Sequence, residues 1–104
     1  MPLVTMEEKT LLLCYDEKVE TVTEEDGTTT LYIYESTRVP RMATYGDLVS
    51  AIIEGHYTDD AMIAIINNHL IAPTGEHEEE YNAMQRWRTH AKEIAKEVLK
   101  ALER

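Results

Sequence analysis

Apolar residues in the last third of the chain recur three and four positions apart, at Met84, Trp87, Ala91, Ile94, Val98 and Ala101. That spacing places them in one stripe along a helix. The stretch Glu76 to Leu102 contains no Gly or Pro to interrupt it. Acids fill its first turns (Glu76, Glu78, Glu79, Glu80) and bases its last (Lys92, Lys96, Lys100, Arg104), a gradient that complements the helix dipole. At about 1.5 Å per residue such a helix spans roughly 40 Å. A 100-residue domain has a radius of gyration of only ~13 Å. Part of the helix is therefore expected to project or to pack against another chain.

Two shorter amphipathic segments precede it. Thr44-Tyr45-Gly46-Asp47 reads as a helix start, with Thr44 as N-cap and Asp47 three residues on. Tyr45, Leu48, Val49, Ile52 and Ile53 then share a face, and Gly55 stops the helix. Thr58-Asp59-Asp60 restarts, with Met62, Ile65, Ile66, His69 and Leu70 as its apolar face and Pro73 and Gly75 at its end.

The first forty residues carry β patterns instead. Met1 to Glu8 reads as a loosely held lead-in, and Lys9 to Tyr15 as a continuous apolar strand. Val19–Glu24 and Thr28–Tyr34 flank Asp26-Gly27, a pair suited to a two-residue type I′ turn. A loop at those two residues sets Val22 opposite Leu31, Glu20 opposite Ile33 and Val19 opposite Tyr34. One face then holds Val22, Leu31 and Ile33, and the other Val19, Tyr32 and Tyr34; both are partly apolar. Pro40 ends the sheet, and 38–43 reads as a linker. The expected fold is α+β: an antiparallel β-hairpin or three-stranded meander over residues 1–40, then a helical module over 41–104 of two short helices and one long one. The two modules together are expected to form one compact unit.

Charge narrows the function. Ten Lys and Arg against twenty Asp and Glu give a net charge of −10, which argues against a nucleic-acid backbone as partner. The lone Cys14 allows no intrachain disulfide, so a reducing compartment is the simpler expectation. No leader pattern opens the chain and no apolar run approaches ~20 residues, so neither secretion nor membrane contact is expected.

Candidate chemistry is sparse. His77-Glu78-Glu79-Glu80-Tyr81 carries Tyr81 where a zinc protease needs its second histidine. His56, His69, His77 and His90 lack metal-ligand spacing, Asp59-Asp60 is explained as helix N-terminal acids, and Cys14 lies among leucines without a cation to activate it. The four glycines form no phosphate loop. No catalytic residue, metal or cofactor is assigned, and no enzyme activity is expected. The candidates that remain are for protein contact: Tyr32 and Tyr34 on the sheet, and Trp87, Arg88, Ala91, Ile94 and Val98 on the long helix. Residues 86–104 carry six bases and three acids, a cationic strip that could dock the acidic β half of a neighbouring copy or another acidic partner. Self-association through the C-terminal helix is expected.

Several pieces resemble small proteins encoded in prophages and related mobile elements of gut bacteria. They are Tyr32-Ile33-Tyr34-Glu35 through Val39-Pro40, Thr44 to Ile53, Tyr57-Thr58-Asp59-Asp60, Ala64 to Asn68, Glu80 to Arg88, and Ala91-Lys92-Glu93-Ile94-Ala95. These pieces are spread over residues 32–95, a span of about two-thirds of the chain, and the resemblance implies a genomic setting near tail and baseplate genes. It implies a non-enzymatic structural or assembly accessory of a phage tail-like region, in the cytoplasm of the bacterial host or carried on the virion. The alternative, from the charge, is an acidic regulator that mimics DNA toward a cationic partner.

Overall fold

The computed structural model describes residues 2–104; Met1, the first residue of the expected lead-in, lies outside them. Three antiparallel strands come first: β1 (Val4–Met6), β2 (Thr10–Glu24) and β3 (Gly27–Pro40), in spatial order β1-β2-β3. Three helices follow: α1 (Tyr45–Glu54), α2 (Asp59–Ile71) and α3 (Glu76–Ala101). The α+β expectation holds, with three corrections in the sheet.

The lead-in is not loose. Val4 to Met6 pair with Leu13 to Leu11, because the neighbouring apolar strand offers an edge and Leu3 and Val4 pack against the core. Next, the two expected strands Lys9–Tyr15 and Val19–Glu24 are one strand of 15 residues. They join through a β-bulge between Tyr15 and Lys18, where Asp16 takes φ 54°. Finally, the turn is Glu25-Asp26, with Glu24 opposite Gly27. A type I′ turn needs positive φ at both loop residues. Here positive φ falls on Gly27 (137°), so the glycine opens β3 rather than closing the turn. Val22 therefore faces Thr29, Glu20 faces Leu31 and Val19 faces Tyr32. The slip is two residues, so the side chains sharing each face are unchanged.

The core lies between one face of the sheet base and helices α1 and α3. Leu11, Leu13, Tyr15 and Val39 meet Leu48, Ile52 and Ile53 of α1 and Ala91, Ile94, Ala95 and Val98 of α3. Thr44 caps α1 in a full capping box with Asp47. The bonds from the Thr44 backbone and hydroxyl hold the Asp47 carboxyl below its usual pKa. Gly55 ends α1 as expected, in ordinary αR geometry rather than the left-handed conformation common at glycine caps. Its role is close approach: a Cβ there would lie 3.2 Å from the Ile52 carbonyl oxygen and 3.7 Å from the Tyr15 hydroxyl.

Thr58 caps α2 as expected, accepting a hydrogen bond from the Ala61 amide. Yet α2 buries no residue. Met62 packs against the core, while Leu70 and Ile71 are exposed. α3 is unbroken over 26 residues. At its end Glu103 adopts φ 60°, the Arg104 amide donates to Leu99 O and the Glu103 amide to Lys100 O. Together these form a Schellman closure with glutamate in the position glycine usually holds. Leu99 and Leu102 pack against the core, so α3 lies along the molecule. What projects is the hairpin. The radius of gyration is 17.2 Å, well above the ~13 Å of a compact domain this size.

Candidate docking arm and its clamped root

Every residue from Asp16 to Tyr34 is exposed. This is the distal half of the β2–β3 hairpin, a two-stranded ribbon without a helix over either face. Its apolar content is high for such a position: Val19 is 61% and Tyr32 62% exposed, and Val22, Leu31, Ile33 and Tyr34 are open to solvent as well. The cause is sequence length. β2 and β3 run beyond the point where α1 and α3 can cover them, and the covered face of Leu11, Leu13, Tyr15 and Val39 continues outward as Val22, Leu31 and Ile33. Isolated two-stranded ribbons are marginal in water, and contiguous exposed apolar surface commonly marks an interaction site.

The ribbon is fixed where it leaves the core. His90, on α3, donates from Nε2 to Asp16 Oδ1 at 2.7 Å, catching β2 at its bulge. His56, after α1, donates from Nε2 to Glu35 Oε1 at 2.7 Å, catching β3. Trp87 lies between them, stacked on His56 with ring centroids 3.6 Å apart and planes 7° off parallel, and tilted against His90 at 5.6 Å. Each strand is thus held by one histidine–carboxylate pair, with the indole bracing both imidazoles. The hydrogen bond to Asp16 raises the His90 pKa above its ordinary value; partial burial works against it and the Asp16 and Glu93 charges add to it. Deeper in, the Tyr15 hydroxyl hydrogen-bonds Thr37 Oγ1 at 3.0 Å, and burial pushes its pKa up.

A groove of about 460 Å³ opens at this root, bordered by Ile33, Tyr34, Glu35, His56 and Trp87. Trp87 Nε1 and Glu35 Oε2 are buried without a hydrogen-bond partner among the described residues. That leaves one donor and one acceptor beside the groove. A second groove, about 510 Å³, lies between the helices and is lined by Ile53, Met62, Ile63, Ile66 and Arg88. Among the described residues no group of three His, Cys, Asp or Glu could hold a metal, and no helix is long and apolar enough to cross a membrane.

The expected contact residues separate into two sets. Tyr32 and Tyr34 lie on the arm and are exposed. Ala91, Ile94 and Val98 are buried in the chain's own core. They are therefore not open to a partner, since the sheet base and α1 already cover that side of α3. Trp87 is half-buried at the arm root, and Arg88 is half-buried at the edge of the second groove. His69 stacks on Tyr81 with centroids 4.0 Å apart.

Asp16, Glu35, His56 and His90 were not singled out by sequence as a group. Their only signal is the Asp16-Glu17-Lys18 interruption between two strand-like runs. Comparison with protein-family models, curated protein sequences and solved structures finds no match to this chain.

Proposed function

We propose that this protein is a non-enzymatic accessory of a phage tail-like region and acts by protein–protein contact through the β2–β3 arm. The observation that carries this reading is the arm itself: exposed throughout from Asp16 to Tyr34, partly apolar on both faces, and held at its root by two histidine–carboxylate pairs. A ribbon fixed in direction loses less freedom on docking than a loose one, so more of its apolar burial survives as affinity. The setting comes from the resemblance to prophage-encoded proteins. The test is binding of purified wild type, and of Leu31→Ser/Tyr32→Ser, to the tail and baseplate proteins encoded beside it. Wild type is expected to bind one of them, and the arm variant at least about tenfold more weakly, the loss of a central apolar anchor. Equal binding by the two would remove the arm from the function.

A second reading is favoured by charge. Residues 16–35 carry seven carboxylates against Lys18, a net of −6, which suits an acidic regulator of a cationic surface. That function predicts competition with duplex DNA and binding that collapses between low and moderate salt. Apolar docking resists salt.

A further inference from the structure

Resting on the docking role of the arm, we infer that its occupant is a second copy of this chain: the arm of one molecule lies against the α1–α2 groove and the cationic α3 flank of another. Three observations carry this. The first is the make-up of one arm face. Pairing across the ribbon puts Glu20 with Leu31, Lys18 with Ile33 and Val22 with Thr29, and strand alternation adds Glu24 to the same side. One face thus combines three aliphatic side chains with two carboxylates that make no ion pair among the described residues, and with Lys18 at the root end.

The second observation is a receiving surface of opposite character elsewhere on the molecule. Arg88, Lys92, Lys96 and Lys100 follow one another at four-residue steps along α3, successive neighbours on a helix surface. None of the four pairs with a carboxylate among the described residues. At its start, Arg88 borders the groove lined by Ile53, Met62, Ile63 and Ile66, which also carries Glu54 and Asp59, so the aliphatic side chains are matched by the groove and the carboxylates by the lysines beyond it. The stripe spans about 18 Å. Glu20 to Glu24 spans about 13 Å along a strand, and Glu25 and Asp26 extend the acidic edge at the tip. Aliphatic side chains have a groove to enter, and carboxylates have a run of cations of similar length.

The third observation disfavours one alternative pairing, through the β2 edges. Two arms meeting there would bring Glu20 and Glu24 of both copies together, and like charges set opposite one another destabilise a ladder. Pairing through the β3 edge, where Thr28 to Tyr34 carry no charge, would show in the test below as assembly that neither charge variant weakens. Arm-to-flank contact relieves the repulsion between β2 edges. Donor and acceptor are different surfaces, so the contact is head-to-tail and propagates into a ring or a filament. The overall charge of −10 repels whole molecules at long range, but at ~0.15 M salt that field decays within about 8 Å while touching pairs persist.

The test is a charge exchange read by sedimentation velocity over a range of concentrations. Wild type is expected to form species larger than monomer. Glu20→Lys/Glu24→Lys and Lys92→Glu/Lys96→Glu, each alone, set like charges against like and are expected to weaken association at least about tenfold. Mixed one to one, each variant's arm again meets a flank of opposite charge, and assembly is expected to return. Wild type that stays monomeric throughout, or assembly that neither variant weakens, or a mixture that fails to recover, overturns the second-copy occupant. Should wild type stay monomeric while Leu31→Ser/Tyr32→Ser still abolishes binding to a tail protein, the docking role survives and only the occupant is wrong. Loss of neither activity overturns both.

Discussion

The proximal and distal halves of the β2–β3 hairpin share two strands and one ladder, yet only one half is a core. At the base, Leu11, Leu13 and Val39 are sealed under α1 and α3. A few residues further out, Val22, Leu31 and Ile33 continue that face into solvent. Both halves are rich in strand formers, but the base of β2 is a continuous apolar run from Leu11 to Tyr15 while the arm interleaves its aliphatics with Glu20, Glu24 and threonines, and only the base is covered. A strand's apolar face specifies a partner surface without specifying whether that surface belongs to the same molecule.

The largest effect separating the halves is expected from truncation at equivalent positions. Leu13→Ala removes a fully buried side chain and is expected to cost about 2–5 kcal/mol, measured by denaturant unfolding. Leu31→Ala, on the same face of the arm, is expected to stay within ~0.5 kcal/mol in dilute monomer. Equal losses would mean the arm is folded onto something. Trp87→Ala tests the boundary. Half-buried and stacked on His56, it is expected to cost about 1–2 kcal/mol, below the ~3–5 kcal/mol of a fully buried ring. Amide exchange should accelerate from Asp16 to Glu35 more than in α1 and α3.

The smallest expected effect is the pH dependence of the root. The His90 pKa is raised in the folded chain. Its bond to Asp16 therefore stabilises fully below the ordinary histidine pKa of ~6.5 and is lost as pH rises through the higher folded value. Arm-root amides are expected to exchange more freely at pH 8.5 than at pH 5.5 after correction for intrinsic rates, and His90→Gln should flatten the difference. The imidazole is 43% exposed, so solvent screens much of the interaction.

Much of the fold was legible because its signals are local. Thr44 and Asp47 form the cap their spacing announces, and the α3 stripe at Met84, Ala91, Ile94 and Val98 is buried. The errors arose where a local signal had two readings. Asp26-Gly27 fits a type I′ turn, but a glycine just after a turn supplies positive φ equally well, and Gly27 does so. The apolar face of α2 satisfies the helical pattern, yet Leu70 and Ile71 meet no core, since α1 and α3 already fill the sheet face. The arm-root site was least readable. Asp16 and His90 are 74 residues apart and Glu35 and His56 are 21 apart, and no periodicity links such pairs.

The residue inserted at Asp16 works as a phase shifter for β2. Before it, odd-numbered side chains turn toward the helices; after it, even-numbered ones do. Were β2 to run on from Tyr15 in plain alternation with all its residues kept, Glu20, Val22 and Glu24 would turn to the tyrosine side and Val19, Thr21 and Thr23 would come round in their place. The one-residue offset is therefore what gathers Val22, Leu31 and Ile33 onto a single surface with Glu20 and Glu24. Taking Asp16 out would leave that surface intact and cost the ribbon only its tether to His90.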